Sequence, residues 1–207
     1  MKQLLARQLT GPDQEAVYGL LEIHRIDSDN WNHGFPADAG FGIGHDTQNI
    51  YLRYVVTESN ILARYRDFHD PVHEDSCVEF FISFDGDFYY NLEFNCIGTI
   101  HAAYGKGRQE RIRIENRLLK SIRVNPSLGT NKIQIVDRET RWTLDVLIPL
   151  PVFTFTRLDP LNQTSAQCNF YKCGDRQAIP HYLSWNPIFS EKPDFHRPEY
   201  FGKIKFV

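Results

Sequence analysis

The sequence has no apolar run approaching the roughly 20 residues that a membrane-spanning helix needs, so we expect no membrane insertion. It also has no basic excess, because 23 Lys and Arg stand against 26 Asp and Glu. A nucleic-acid partner is therefore disfavoured. The first residues contain neither an apolar signal core nor a cleavage site. We therefore expect a cytoplasmic protein, unless the chain was trimmed from an exported form that is periplasmic or extracellular.

Familiar catalytic signatures are missing too. The chain contains no HExxH, GxSxG, Walker A or GxGxxG pattern, so it lacks the usual marks of zinc proteases, serine hydrolases and nucleotide-binding proteins. His69 and His73 are four residues apart, but they precede a strand and do not lie on a helix. A metal-binding histidine pair is therefore disfavoured.

Cysteine is scarce, with only Cys77, Cys96, Cys168 and Cys173. Four cysteines are too few for a disulfide framework in a chain of this length. Their spacing gives weak support to a four-thiolate zinc site, and small buried residues are the simpler interpretation. Local pairing of Cys168 with Cys173 stays open if the protein is exported.

Aromatic residues are abundant, with 15 Phe, 10 Tyr and 3 Trp among 207 residues. Apolar residues make up 42% and charged residues 24% of the chain, which is typical of a soluble globular protein. We see no repeat, low-complexity segment or linker, so we expect one domain over residues 1–207.

Alternation of apolar and polar residues with a period of two dominates the chain, which is typical of half-buried antiparallel strands. It occurs in residues 49–56, 77–84, 89–95, 111–115, 131–137, 141–150, 168–173, 180–186 and 202–207. Short helices fit only residues 12–24 and 148–153, where proline limits the second. The pattern predicts an all-β fold, a two-sheet antiparallel β-sandwich of the immunoglobulin or jelly-roll kind, with minor short helices.

A hairpin is predicted around Gly86. Matching the apolar faces of residues 77–84 and 89–96 gives a register centred on Gly86, in which Glu79 lies opposite Glu93. Opposed carboxylates are destabilising at roughly 5 Å. An arginine or lysine, a bound cation such as Ca²⁺, a proton on one acid, or ligand hydroxyls could compensate. The alternative is a different register, with both acids in water.

Two kinds of chemistry suit these residues. A carboxylate pair at this spacing resembles that of a retaining glycosidase, whereas aromatic rings with carboxylates and amides suit sugar binding. Candidate sugar platforms are Trp31, Trp142, Trp185 and Phe195, of which Trp142 alternates with apolar residues and fits the core better. Asp85 and Asp87 at the hairpin tip are candidate calcium ligands, although Asp and Gly at a hairpin tip more often form only a turn.

The chain also resembles the family 9 carbohydrate-binding modules. The central block is DPVHEDSCVEFFISFDGDFYYNLEFNCIGTIHAAY, residues 70–104, and WTLDVLIPL and the closing segment from residue 168 follow in the family's order. The resemblance extends from about Asp27 to the end of the chain. It implies a β-sandwich that binds sugars, often contains structural Ca²⁺ and is commonly attached to polysaccharide-degrading enzymes such as xylanases.

Site residues follow from the resemblance by position. The two tryptophans of the family's sugar slot fall on His73 and Phe195, the acid on Glu79, the arginine on Glu93, and Asn95 follows two residues later. These replacements shrink the stacking surface and reverse one charge.

We therefore predict a non-catalytic carbohydrate-binding protein. Its predicted ligand-binding residues are His73, Glu79, Glu93, Asn95, Trp185 and Phe195. The alternatives are a glycoside hydrolase that uses Glu79 and Glu93, and an interaction domain with a vestigial sugar site. No catalytic residue or cofactor is predicted beyond the structural calcium that the resemblance implies.

Overall fold

The computed structural model describes residues 1–10, 16–34, 36–158, 161 and 163–207. Its strands are β1 (Gln3–Gln8), β2 (His24–Arg25), β3 (Ser28–Asp29), β4 (Ala37–His45), β5 (Asn49–Glu58), β6 (Ile61–Ala63), β7 (Cys77–Ser83), β8 (Tyr89–Asn95), β9 (Ile100–Gly105), β10 (Ile112–Arg113), β11 (Arg123–Pro126), β12 (Ile133–Ile135), β13 (Thr140–Pro149), β14 (Ser165–Cys173), β15 (Tyr182–Ser184) and β16 (Gly202–Phe206).

Helical segments are short. One α-helical turn, α1, covers Asn116–Leu119, and 3₁₀ turns cover Ala16–Leu20, Val72–Glu74, Leu150–Val152 and Pro198–Tyr200. The predicted helix at 12–24 is thus a 3₁₀ turn at Ala16–Leu20, and residues 12–15 lie outside the described part. The described residues contain no helix long and apolar enough to cross a membrane.

Most strands form two packed layers, and β6 and β12 form a separate two-stranded sheet. One layer has the order β10-β9-β8-β7-β14-β16 and the other β4-β5-β13-β11, with β1 joining β16 to β4. Phe170 of β14 stacks on Phe41 of β4 with ring centroids 3.5 Å apart. These strands are not neighbours within a sheet, so the stack shows one layer lying over the other. The all-β sandwich prediction is confirmed.

Strand β1 departs from the antiparallel prediction. Its residues Gln3–Ala6 pair in parallel with β16, and Arg7 and Gln8 pair in parallel with β4. A single strand can thereby hydrogen-bond to both layers, which closes the sandwich on one side. The predicted strand at 111–115 shortens to Ile112–Arg113.

The β7–β8 hairpin has the predicted register, with Glu79 opposite Glu93. Val78, Phe80 and Ile82 point into the core between the layers, as the alternation requires. Trp142 also lies in this core and donates from its indole Nε1 to Glu58 Oε1 at 2.8 Å. The outer face of β7, β8 and β14 carries a second buried cluster that includes Phe81, Tyr171 and Phe195.

Candidate functional site

A row of side chains crosses the outer face of four neighbouring strands. Tyr171 of β14 pairs with Glu79 of β7, Glu79 with Glu93 of β8, and Glu93 with His101 of β9. Because directly paired residues point to the same side of a sheet, these four side chains lie in line. Three members of the row, Glu79, Glu93 and His101, line a cavity of about 630 Å³.

Segments from distant parts of the chain line the sides of this cavity. Lining side chains include His73 of the 3₁₀ turn Val72–Glu74, Arg111 before β10, Tyr182 of β15 and Phe195 before the 3₁₀ turn Pro198–Tyr200. The structure therefore brings together four of the six predicted binding residues, namely His73, Glu79, Glu93 and Phe195. Their role in binding stays a prediction.

The carboxylate pair is buried at the base of the cavity, with Glu79 3% exposed and Glu93 6% exposed. Burial, and then the negative charges that Cys173 and Glu93 can carry, raise the pKa of Glu79 well above its usual range. This shift favours the protonated form of Glu79, and a proton on one acid is one of the four possible compensations for the pair.

Each acid also has a hydrogen-bond partner. The Cys173 thiol donates to Glu79 Oε1 at 3.2 Å, and the Asn91 amide donates to Glu93 Oε1 at 2.7 Å. His73 Nδ1 lies 3.8 Å from Glu93 Oε2. Glu79 is thus held by a residue of β14. Glu93 is held by a residue of β8 and lies beside His73 of the turn before β7.

Arg111 forms hydrogen bonds with three residues near the acid pair. Its Nε donates to Asn91 Oδ1 at 3.0 Å, and its Nη1 and Nη2 donate to the carbonyls of Gly107 at 2.7 Å and Tyr89 at 3.0 Å. Its guanidinium carbon lies 4.2 Å from the centre of the Tyr89 ring. Arg111 therefore orients Asn91, which in turn orients Glu93.

The aromatic wall is built around Phe195. Its ring stacks on Tyr171 with centroids 4.1 Å apart and an angle of 11° between planes. The Tyr171 hydroxyl donates to the Phe195 carbonyl at 3.2 Å. Trp31 and Tyr182 pack around it with ring centroids 6.0 Å and 6.2 Å away. Phe195 is held rigidly, since its neighbours contact both its ring and its backbone.

His196 follows Phe195 and is a neutral side chain. Its Nδ1 lies 2.7 Å from the Tyr89 hydroxyl. Burial, followed by the positive charges of Arg111 and Arg108, lowers its pKa to about 3. His196 therefore contributes hydrogen bonding to the cavity without carrying a charge.

Two of the six predicted site residues, Trp185 and Asn95, do not line the cavity. Trp185 is 4% exposed and packs between the layers against Phe41 and Phe170, because the backbone at this position turns its side chain inward. Asn95 is fully buried and donates to the Tyr65 carbonyl at 2.9 Å and Asp75 at 3.1 Å. Its amide is fully occupied within the protein.

Asp85 and Asp87, the calcium candidates, stabilise a turn. Asp85 Oδ1 accepts hydrogen bonds from the backbone N–H groups of Asp87 and Phe88, both at 2.9 Å. Asp87 is exposed and lies 3.5 Å from Lys106 Nζ. The Asp85 carboxylate thus bonds to its own backbone, as expected of an Asx turn.

The structure excludes local pairing of Cys168 with Cys173. The two residues are five apart on β14, so their side chains point to opposite faces. Cys168 lies in the core between the layers and Cys173 in the outer-face cluster.

Sequence reasoning missed several cavity residues, above all His101, Arg111 and Tyr182. His101 could have been found by extending the hairpin register to the next strand, because it pairs directly with Glu93. Arg111 has no such signal, since a loop brings it to the cavity. Tyr182 of β15 reaches the cavity by pairing with Cys173 of β14, and the alternation of residues 180–186 does not specify that pairing.

Three comparisons bear on the family. The sequence model of carbohydrate-binding family 9 matches residues 15–206. A solved structure from Bacteroides uniformis ATCC 8492, to which carbohydrate binding is ascribed, is 34% identical, with a TM-score of 0.93 over 100% of this chain and 99% of that chain. No curated protein sequence matched the chain.

Two further solved structures share the fold. They are of a family 9 carbohydrate-binding module from Caldicellulosiruptor kristjanssonii, in complex with glucose and with cellotriose, each 12% identical to this chain. The TM-scores are 0.65 and 0.66, covering 100% and 99% of this chain and 96% and 93% of the others. The match of the family model across nearly the whole chain settles the assignment: this protein belongs to carbohydrate-binding family 9.

Proposed function

We propose that this protein binds carbohydrate, without cleaving it, in the cavity on the outer face of β14, β7, β8 and β9. The observation that carries the proposal is the convergence of a buried acid pair, Glu79 and Glu93, with the rigid ring of Phe195 on one cavity of about 630 Å³. Cavities of this size hold small ligands.

The chemistry of the cavity suits a sugar. A sugar ring has an apolar C–H face that can pack on Phe195 and Tyr182, and hydroxyls that can donate to Glu93 or accept from protonated Glu79. Asn91, Arg111 and their hydrogen bonds fix these groups before a ligand arrives. Pre-organisation of this kind reduces the entropy cost of binding.

Binding without hydrolysis is favoured by the state of the two acids. A retaining glycosidase needs a nucleophile and an acid that both reach the scissile bond. Here the Cys173 thiol is bonded to Glu79 Oε1 and the Asn91 amide to Glu93 Oε1, so one oxygen of each acid is already bonded within the protein. Family membership supports the same conclusion. We further propose that the protein works beside polysaccharide-degrading enzymes.

Calorimetry with glucose and cellotriose tests the proposal, because the family 9 modules of similar fold are complexed with these sugars. The wild type should bind at least one member of a glycan panel that includes both. Phe195→Ala and Glu93→Gln should each weaken binding about tenfold or more, which corresponds to about 1.4 kcal/mol. Phe189→Ala, at an aromatic residue 74% exposed outside the cavity, is the matched control and should bind normally.

The same samples are assayed for released sugar. Turnover that Glu79→Gln abolishes would show a glycoside hydrolase and overturn the binding-only proposal. Absence of binding over the whole panel would favour the interaction-domain alternative.

A further inference from the structure

Three metal-ligating side chains meet at the floor of the cavity. Cys77 of β7 pairs directly with Cys173 of β14, and Glu79 lies two residues beyond Cys77 on the same face. Both Sγ atoms and a Glu79 carboxylate oxygen lie within 4.8 Å of one another. We propose that Cys77, Cys173 and Glu79 form a binding site for a thiophilic divalent cation such as Zn²⁺.

The donor set fits such an ion. Zinc is bound by thiolates at about 2.3 Å and by carboxylates at about 2.0–2.2 Å, usually with tetrahedral geometry. Thiolates select zinc and similar ions over calcium and magnesium, which prefer oxygen ligands. Cys173 and Glu79 both line the cavity, so water or a ligand atom could reach the fourth position.

The arrangement differs from that of ordinary buried cysteines. Cys96 and Cys168 lie among apolar side chains in the core between the layers. Cys77 and Cys173 instead lie beside Glu79, whose Oε1 is 3.2 Å from Cys173 Sγ. A search of the described residues for three or more His, Cys, Asp or Glu side chains close enough to share one ion finds this group.

Binding of a cation at this site would release protons. Burial raises the pKa of Cys77 to about 12, and burial with nearby negative charge raises the pKa of Glu79. Without a cation, protons neutralise these acidic groups. A divalent ion can displace those protons and neutralise two of the three negative charges that result.

The inference goes beyond the proposed sugar binding, although the two share Glu79. Its test uses no sugar, so failure of metal binding and failure of sugar binding are separate results.

Titration of the reduced, metal-free protein with Co²⁺, followed by absorption, tests the site. We expect one Co²⁺ per chain, thiolate-to-cobalt charge-transfer absorption, and displacement of the cobalt by Zn²⁺. Cys77→Ser and Cys173→Ser should each weaken Co²⁺ binding by at least about tenfold. Removal of a residue that only supports a metal ligand already costs about this much affinity, and these two residues are ligands themselves. Glu79→Gln should weaken binding but retain charge-transfer absorption, because both thiolates remain.

Cys168→Ser is the matched control, because Cys168 is on the same strand as Cys173 but faces the core between the layers. It should bind Co²⁺ like the wild type. Absence of charge-transfer absorption in the wild type would overturn the proposal whether or not the variants fold. Unchanged absorption in Cys77→Ser and Cys173→Ser would overturn it equally.

Discussion

Glu79 illustrates how neighbouring residues set the chemistry of one side chain. It lies opposite Glu93, accepts a hydrogen bond from Cys173 and is 3% exposed. On a solvated strand the same residue would be an ordinary carboxylate. Here burial and nearby negative charge raise its pKa and favour the protonated form, which can act as a hydrogen-bond donor.

The raised pKa of Glu79 makes protein stability depend on pH. Above the unfolded-state pKa of about 4.3, the unfolded chain releases the Glu79 proton while the folded protein keeps it. The free energy of unfolding should therefore fall as pH rises, by up to about 1.4 kcal/mol per pH unit from this group. Glu79→Gln cannot lose this proton, so its stability relative to the wild type should increase as the pH rises above about 4.3.

Urea unfolding at a series of pH values measures this difference. Asp87→Asn, at an exposed carboxylate on the hairpin tip, is the control and should run parallel to the wild type. A constant difference between Glu79→Gln and wild type across the range would contradict the assignment of a proton to Glu79.

At the level of elements, the β7–β8 hairpin positions the acid pair. Ser83 Oγ donates to the Phe88 carbonyl at 2.6 Å, and Asp85 caps the turn. Gly86 has a positive φ of +84°, which residues with a Cβ adopt at a cost. The turn thereby sets the register that places Glu79 opposite Glu93.

Gly86→Ala should destabilise the protein by about 1 kcal/mol, because the strain is in the backbone and an added Cβ would meet no atom within 4 Å. Gly107→Ala is the matched control. Its Cβ would also meet nothing within 4 Å, and its φ is not in the positive region. Thermal unfolding of both variants measures the effect, and equal losses would show that backbone strain at Gly86 is not the cause.

Strand β4 shows where sequence patterns fail at this scale. Its segment ADAGFGIGH has glycine at every second position, which weakens a strand prediction. Yet Cβ atoms at Gly40 and Gly42 would come within 2.7 Å of Ile23 and Leu21. The glycines let residues 21–24 pack closely against the strand, and this contact is visible only once the chain has folded.

Across the whole molecule, a buried polar network joins the two layers near the cavity. Lys172 Nζ of β14 lies 3.0 Å from Glu58 Oε2 of β5 and 2.8 Å from His181 Nε2. Gln177 donates to Glu58 at 3.1 Å. Burial, and then the charge of Lys172, lower the pKa of His181 to about 3. The network therefore holds residues 174–181, next to cavity residue Tyr182, against both layers.

Breaking this ion pair should be costly. Lys172→Met leaves Glu58 buried without its cation and should lower the free energy of unfolding by about 3–5 kcal/mol. Lys172→Met combined with Glu58→Leu should recover most of the loss, because no charge then remains buried. Denaturant unfolding of the two single variants and the double variant gives the coupling. Additive losses would contradict a direct ion pair.

The period-two alternation by itself determined the all-β fold, most of the central strands and the cross-strand pairing of Glu79 with Glu93. This information is local, because strand geometry sends alternate side chains to opposite faces and a short turn sets the register. The family motifs added the carbohydrate-binding class, which the family model matches.

Only the tertiary structure decided the composition of the cavity. It brought Cys173 to Glu79 across 94 residues of sequence and Tyr182 to the cavity through the pairing of β15 with β14. Loops brought Arg111 and Phe195 to the same cavity. It also placed Trp185 in the core against Phe41, and it engaged the amide of Asn95 in a hydrogen bond to Asp75. No short-range pattern contains these contacts, because they depend on which strands and loops pack together in the closed sandwich.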